Sequence, residues 1–168
     1  MPTIGELLTG EFAHELTSTR RVLSAVPEDR LGWRPHPRSF PMGRLAGHVA
    51  EIVSWTAAVL GKDRLDLSRA AIPVNFRFAA TAREELLTRL DEWAGEARAK
   101  LAGLEESMLD QPWVLALDGQ EVLRLTRYQA LRGFVLNHHI HHRAQLTVYL
   151  RMNQAKVPGI YGPSADEN

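Results

Sequence analysis

Four of the chain's seven histidines crowd into Asn137-His138-His139-Ile140-His141-His142-Arg143. In a helix, side chains four positions apart stand one above the other on a single face, so His138 and His142 can reach one ion together. Leu131, Val135, Gln145 and Tyr149 share that face and turn it towards a core, which leaves His139 and His141 on its flanks, beside the ligands or in solvent. A third ligand must come from another helix. The candidate is His48, set among Leu45, Val49 and Ile52 on an apolar stripe. Three neutral imidazoles around a divalent ion, with the remaining positions left to water, form the open arrangement of a catalytic rather than a structural site. The chemistry would be Lewis-acid activation of water or of a bound anion. The competing reading is a polar cluster hydrogen-bonded inside the protein, which is costly for several buried imidazoles without a partner. His48 alone would read as a satisfied core histidine, and His14 and His36 as surface or loop residues.

Two further side chains are candidates for a role at the same place. Glu51, three residues after His48, could be a general base or a partner to the ligand, against the ordinary alternative of a solvated helix glutamate. Gln145, on the His138 and His142 face, could hydrogen-bond a ligand imidazole. The chain has no cysteine, which excludes disulfides, thiolate ligands and a cysteine nucleophile, so a metal must sit on nitrogen and oxygen.

Composition limits the setting. At 168 residues, with 45 % hydrophobic and 24 % charged residues, the sequence reads as one globular domain over residues 1–168. Basic and acidic residues both number 20, so no global field favours nucleic acid or an anionic membrane. The start at Met1-Pro2-Thr3 lacks the basic and apolar blocks of a secretory signal, and no run approaches the roughly 18 apolar residues of a membrane span. The expectation is a cytoplasmic protein with no membrane and no nucleic-acid partner.

The elements that must position the histidines are helices. Thr3 with Glu6, Thr81 with Glu84 and Thr126 with Gln129 have capping-box spacing, and each opens a stretch of helical periodicity. The first helix carries Ile4, Leu8, Phe12, Leu16 and Leu23 and should end near Val26, ahead of Pro27. The second begins around Pro41 and carries Leu45, Val49, Ile52 and Leu60. The third runs from about Thr81 to Leu104, and the fourth from about Thr126 to Asn153. Four amphipathic helices in one domain predict an all-α four-helix bundle. A proline-rich turn, Trp33 to Ser39, joins the first two helices, and a longer link around Gly61 to Ala80 is expected to cross the bundle. Asp118-Gly119 between two apolar runs signals a short hairpin before the last helix.

The run Asn137 to Leu146 resembles the metal helix of the DinB-like superfamily, also called the YfiT-like metalloenzymes. Gly47-His48, following the Trp33 and Pro35 turn and Ser39, resembles that family's first metal histidine. The ending Val157 to Asp166 is similar to one branch of it, and Ala144 stands where the family usually has glycine. The resemblance implies an up-down-down-up bundle, a homodimer, and zinc, nickel or another divalent ion on His48, His138 and His142. It also implies a small-molecule substrate and a low-molecular-weight thiol as possible cofactor, because relatives include thiol-dependent transferases and isomerases. The leading expectation is therefore a metal-dependent enzyme for thiol-dependent S-transfer or hydrolysis. The alternative is a non-catalytic metal or small-molecule binding stress protein. A DNA-binding repair factor is disfavoured by the zero net charge and the lack of a recognition-helix motif.

Overall fold

A computed structural model describes residues 1–73 and 76–167. Its helices are α1 (Ile4–Ser24), α2 (Met42–Gly61), α3 (Arg83–Ala102), a one-turn α4 (Glu106–Leu109), a one-turn α5 (Arg127–Gln129) and α6 (His138–Met152). Ala130–Asn137, between α5 and α6, is π-helical, and the three form one continuous helical run. Three strands complete the list: β1 (Arg64–Leu67), β2 (Pro112–Leu117) and β3 (Gln120–Thr126). Among the described residues no helix is long and apolar enough to cross a membrane.

The caps explain where the helices begin. At α1 the Glu6 amide donates to Thr3 Oγ1 while the Thr3 amide donates to Glu6 Oε2, and Thr126 with Gln129 repeat the arrangement ahead of the last helical run. Both boxes are as the spacing predicts. The third is not: α3 starts after Ala82, and it is Glu85 rather than Glu84 that accepts from the Thr81 amide and hydroxyl. Starting the helix beyond Thr81 moves the reachable carboxylate one residue on. The Arg83 amide is satisfied instead by Glu28 Oε1 at 3.0 Å.

The core lies between the long helices. α2 packs on α3 and α6, α1 packs on α3 and α6, and Val22, Leu23, Val49, Ile52, Leu86, Leu146 and Leu150 are sealed from solvent. α2 is the central element, with Met42 to Thr56 buried except for the half-buried Arg44. Gly43 and Gly47 make one side of it thin. A Cβ on Gly47 would stand 2.3 Å from the Phe78 carbonyl oxygen, and one on Gly43 would stand 2.7 Å from that of Ala80. The segment ending at Ala80 therefore lies directly against the helix backbone.

The all-α expectation needs correcting, because the protein is mostly helical with a small three-stranded sheet in the order β1-β2-β3. The hairpin is where Asp118-Gly119 predicts it, with φ of 50° and 80° at those two residues, the conformation of a tight two-residue hairpin turn. A register shift opposite Leu115 and Ala116 leaves Val122 as the extra residue of a bulge. β1, in the link expected to cross between helices, pairs parallel with the other edge of β2. It gives the apolar β2, whose Trp113 and Ala116 are fully buried, a second hydrogen-bonded neighbour. Arg127 staples this sheet to the helices. Its guanidinium donates to the carbonyls of Val59 and Lys62 and pairs with Asp63, just ahead of β1. Positions 74 and 75 of the same link lie outside the described residues.

Candidate metal centre

His48 enters the site from the middle of α2, and His138 and His142 from the first turns of α6. One nitrogen from each ring lies within 4.8 Å of the others. The ring centroids are 4.6 Å apart for His48 and His142, 4.7 Å for His138 and His142, and 5.2 Å for His48 and His138. The three residues picked out by spacing are thus brought together. Among the described residues no other histidine or carboxylate joins the group.

Each ring is tethered through Nδ1. His48 Nδ1 is 2.6 Å from Glu51 Oε1, His142 Nδ1 is 2.6 Å from Gln145 Oε1, and His138 Nδ1 is 3.3 Å from the Phe134 carbonyl. All three partners are acceptors, so each Nδ1 carries a proton and Nε2 is the nitrogen left for a ligand. The His138 amide donates to Val135 O, while its imidazole turns to the Phe134 carbonyl. Burial favours the neutral form of His138 and His142: desolvation, with the neighbouring imidazoles adding to it, lowers the pKa of His138 and brings that of His142 to about 4. Three imidazoles with one nitrogen each within 4.8 Å of the others make a nitrogen donor set of the kind that divalent ions take, so the residues present fit such an ion.

Glu51 is not the solvated glutamate that its charge suggests. It is fully buried, with Oε1 shared between His48 and Arg44 at 2.9 Å and Oε2 accepting the Phe78 amide at 2.5 Å. With both oxygens engaged it acts as an anchor for His48. Arg44, which also donates to the Phe78 carbonyl, escaped the sequence reading. Its signal was the spacing Arg44, His48, Glu51, which places all three on one face of α2. The aromatic wall also went unremarked. The Trp55 ring lies 5.0 Å from Phe76 and 4.9 Å from Phe134, stacked on both, and 5.3 Å and 5.7 Å from His138 and His48. Phe40 closes the other side of His48 at 6.0 Å. These rings give His48 and His138 apolar neighbours, while His138 and His142 stay half-buried.

Of the remaining histidines, His14 and His36 are exposed, as expected, and His141 is exposed beside His142. His139 departs from the expectation of a flanking residue beside the ligands or in solvent. It is buried against α1, with Nε2 2.5 Å from Thr19 Oγ1.

The chain is similar to known proteins in sequence and in fold. The chain is 26 % identical over 165 residues to YrdA, an uncharacterised protein of Bacillus subtilis, covering 91 % of this chain and 85 % of that one. Its fold is similar to that of a DinB-like protein from Bacillus cereus, with a TM-score of 0.70, 18 % identity, and 92 % and 95 % of the two chains covered. A second DinB-like protein, YjoA of Bacillus subtilis, gives 0.68 at 20 % identity, with 92 % and 96 % covered. The family model for the DinB superfamily matches residues 11–146, a span that includes His48, His138 and His142 together with Glu51 and Gln145. By that match, which extends over most of its length, the chain belongs to the DinB superfamily.

Proposed function

We propose that this protein is a divalent-metal-dependent enzyme whose ion, zinc or nickel, is held by His48, His138 and His142, and whose reaction is a thiol-dependent S-transfer or a hydrolysis of a small molecule. The observation that carries the reading is the gathering of the three rings, each with Nδ1 beside an acceptor and one nitrogen of each within 4.8 Å of the others. A bound divalent ion would supply Lewis acidity, lowering the pKa of a coordinated thiol or water near neutral pH. The chain's own residues do the rest. Glu51 and Gln145 fix the tautomer and tilt of His48 and His142, and the aromatic wall keeps the surroundings apolar, which strengthens charge interactions inside. Three protein donors leave room for an exchangeable ligand, the condition for catalysis rather than storage. The reading includes a four-helix bundle in up-down-down-up order and a homodimer, for which exposed Leu7 on α1 and half-buried Leu87 on α3 offer apolar surface.

Cobalt substitution tests the open position. Adding a small biological thiol to the cobalt protein is expected to produce a sulfur-to-metal charge-transfer band. No band with any of several thiols, combined with hydrolysis of test esters or amides, would move the reading to water activation. No band and no turnover would favour a metal-binding protein without catalysis.

A further inference from the structure

α6 carries a second ladder beside the first. His139 and Arg143 each follow a site histidine by one residue and are themselves four apart, so they climb the same two turns about 100° further round the helix. Both are buried, at 3 % and 2 % exposure, and both reach α1, while His139 also meets the Val49 backbone of α2. Arg143 Nη1 donates to the Glu15 carbonyl at 3.0 Å and to Thr19 Oγ1 at 3.2 Å, while Nη2 pairs with Glu15 Oε2 at 2.6 Å. Thr19 Oγ1 also meets His139 Nε2, so one hydroxyl joins both rungs. The C-terminal tail closes the network: the Tyr161 hydroxyl accepts from Arg143 Nη2 at 2.8 Å and donates to the Glu15 carboxylate, 2.9 Å from Oε2. The tail is fastened there by further contacts. Asp166 accepts from the Val157 amide and pairs with Arg151, and Arg21 donates to the Gly159 carbonyl.

Interactions of this kind set how far α6 is rotated about its axis. A donor nitrogen at the outer edge of a helix lies about 5–6 Å from the axis, so a turn of about 10° carries it roughly 1 Å. A ligand constellation must be held to within about 0.5 Å. We propose that Glu15, Thr19 and Tyr161 are positioning residues for the histidine centre: through Arg143 and His139 they fix the rotation of α6, so that the C-terminal tail tunes the metal affinity of a centre built by other residues. The inference rests on the metal reading above. It is a claim about metal affinity, distinct from general support of the fold.

The experiment uses the full-length chain and cobalt(II) alone, with affinity measured by chelator competition and coordination geometry by the visible ligand-field bands. Tyr161→Phe and Thr19→Val are expected to weaken cobalt binding by about tenfold or more and to alter the bands, as changes to groups supporting ligands do. Thr19→Ser, which keeps the hydroxyl, should restore the wild-type values. Arg20→Gln, at the residue after Thr19, breaks only the surface pair with Asp91 of α3 and should leave them unchanged. Wild-type affinity and bands in both Tyr161→Phe and Thr19→Val would overturn the inference and leave the metal reading standing. So would an equal loss in Arg20→Gln, since the effect would then be general destabilisation. A wild-type chain that takes up no cobalt would overturn the metal reading and this inference with it.

Discussion

Glu51 divides its two oxygens among an imidazole, a guanidinium and a backbone amide, and it does so with no access to water. Removing such an acceptor leaves buried donors unpaired, so Glu51→Ala should cost about 3 kcal/mol or more in urea unfolding, and should weaken metal binding by about 10–100-fold. Glu51→Gln keeps an oxygen for His48 and should fall between the two. A chelator titration that finds Glu51→Ala equal to wild type would show that the His48 tether has no part in binding. The histidines were legible because helical spacing alone stacks His138 over His142, and because His48 stands among apolar neighbours. Gln145 was legible for the same reason. Glu51 was not, since carboxylates ordinarily face water and two of its three donors come from Arg44, two turns earlier on α2, and from Phe78, far along the chain. The burial of His139 was hidden in a similar way: its partner Thr19 is 120 residues away.

At the scale of elements, the site depends on how closely the Phe76 to Ala80 segment lies on α2. Gly47→Ala would drive a methyl into the Phe78 carbonyl, and backbone can yield only by moving off the helix and drawing its amide away from Glu51. The expected outcome is a loss of about 2–3 kcal/mol in denaturant unfolding together with weaker metal binding. The same substitution at the open Gly95, inside α3, should leave metal binding unchanged and raise stability by about 1 kcal/mol, the ordinary preference of a helix for alanine. The sheet makes a separate prediction. Arg127→Met removes the donors to Val59 and Lys62, which should cost about 2–3 kcal/mol. Amide exchange should then speed up at Val114 and Asp118, whose amides bond to Asp63 and Leu67 across the sheet, more than in α2. Asp-Gly announced the hairpin because few other pairs accept positive φ at two successive residues. The parallel strand β1 was unreadable at four residues, too short for its alternation to stand out from a loop. The π-helical turn ahead of His138 was equally silent, since its buried Leu131 and Val135 fit an α-helical period as well.

For the whole molecule, the account treats metal binding as part of the stability of the folded chain. An ion that binds only the folded form at a hundredfold above its Kd adds about 3 kcal/mol, or a rise of roughly 5–10 °C in Tm for a chain of this size. Differential scanning calorimetry before and after chelation should show that difference, and its absence would mean that the histidine cluster is stable without a metal. The most direct measurement is the metal content of the protein purified without a histidine tag, for the wild type and four single variants. His141, exposed and outside the converging group, serves as the control, because replacing the buried His139 would disturb the packing on α1. The account predicts one divalent ion per wild-type and His141→Ala chain, and less than about a tenth of that in His48→Ala, His138→Ala and His142→Ala. Equal metal content in all five proteins would contradict it.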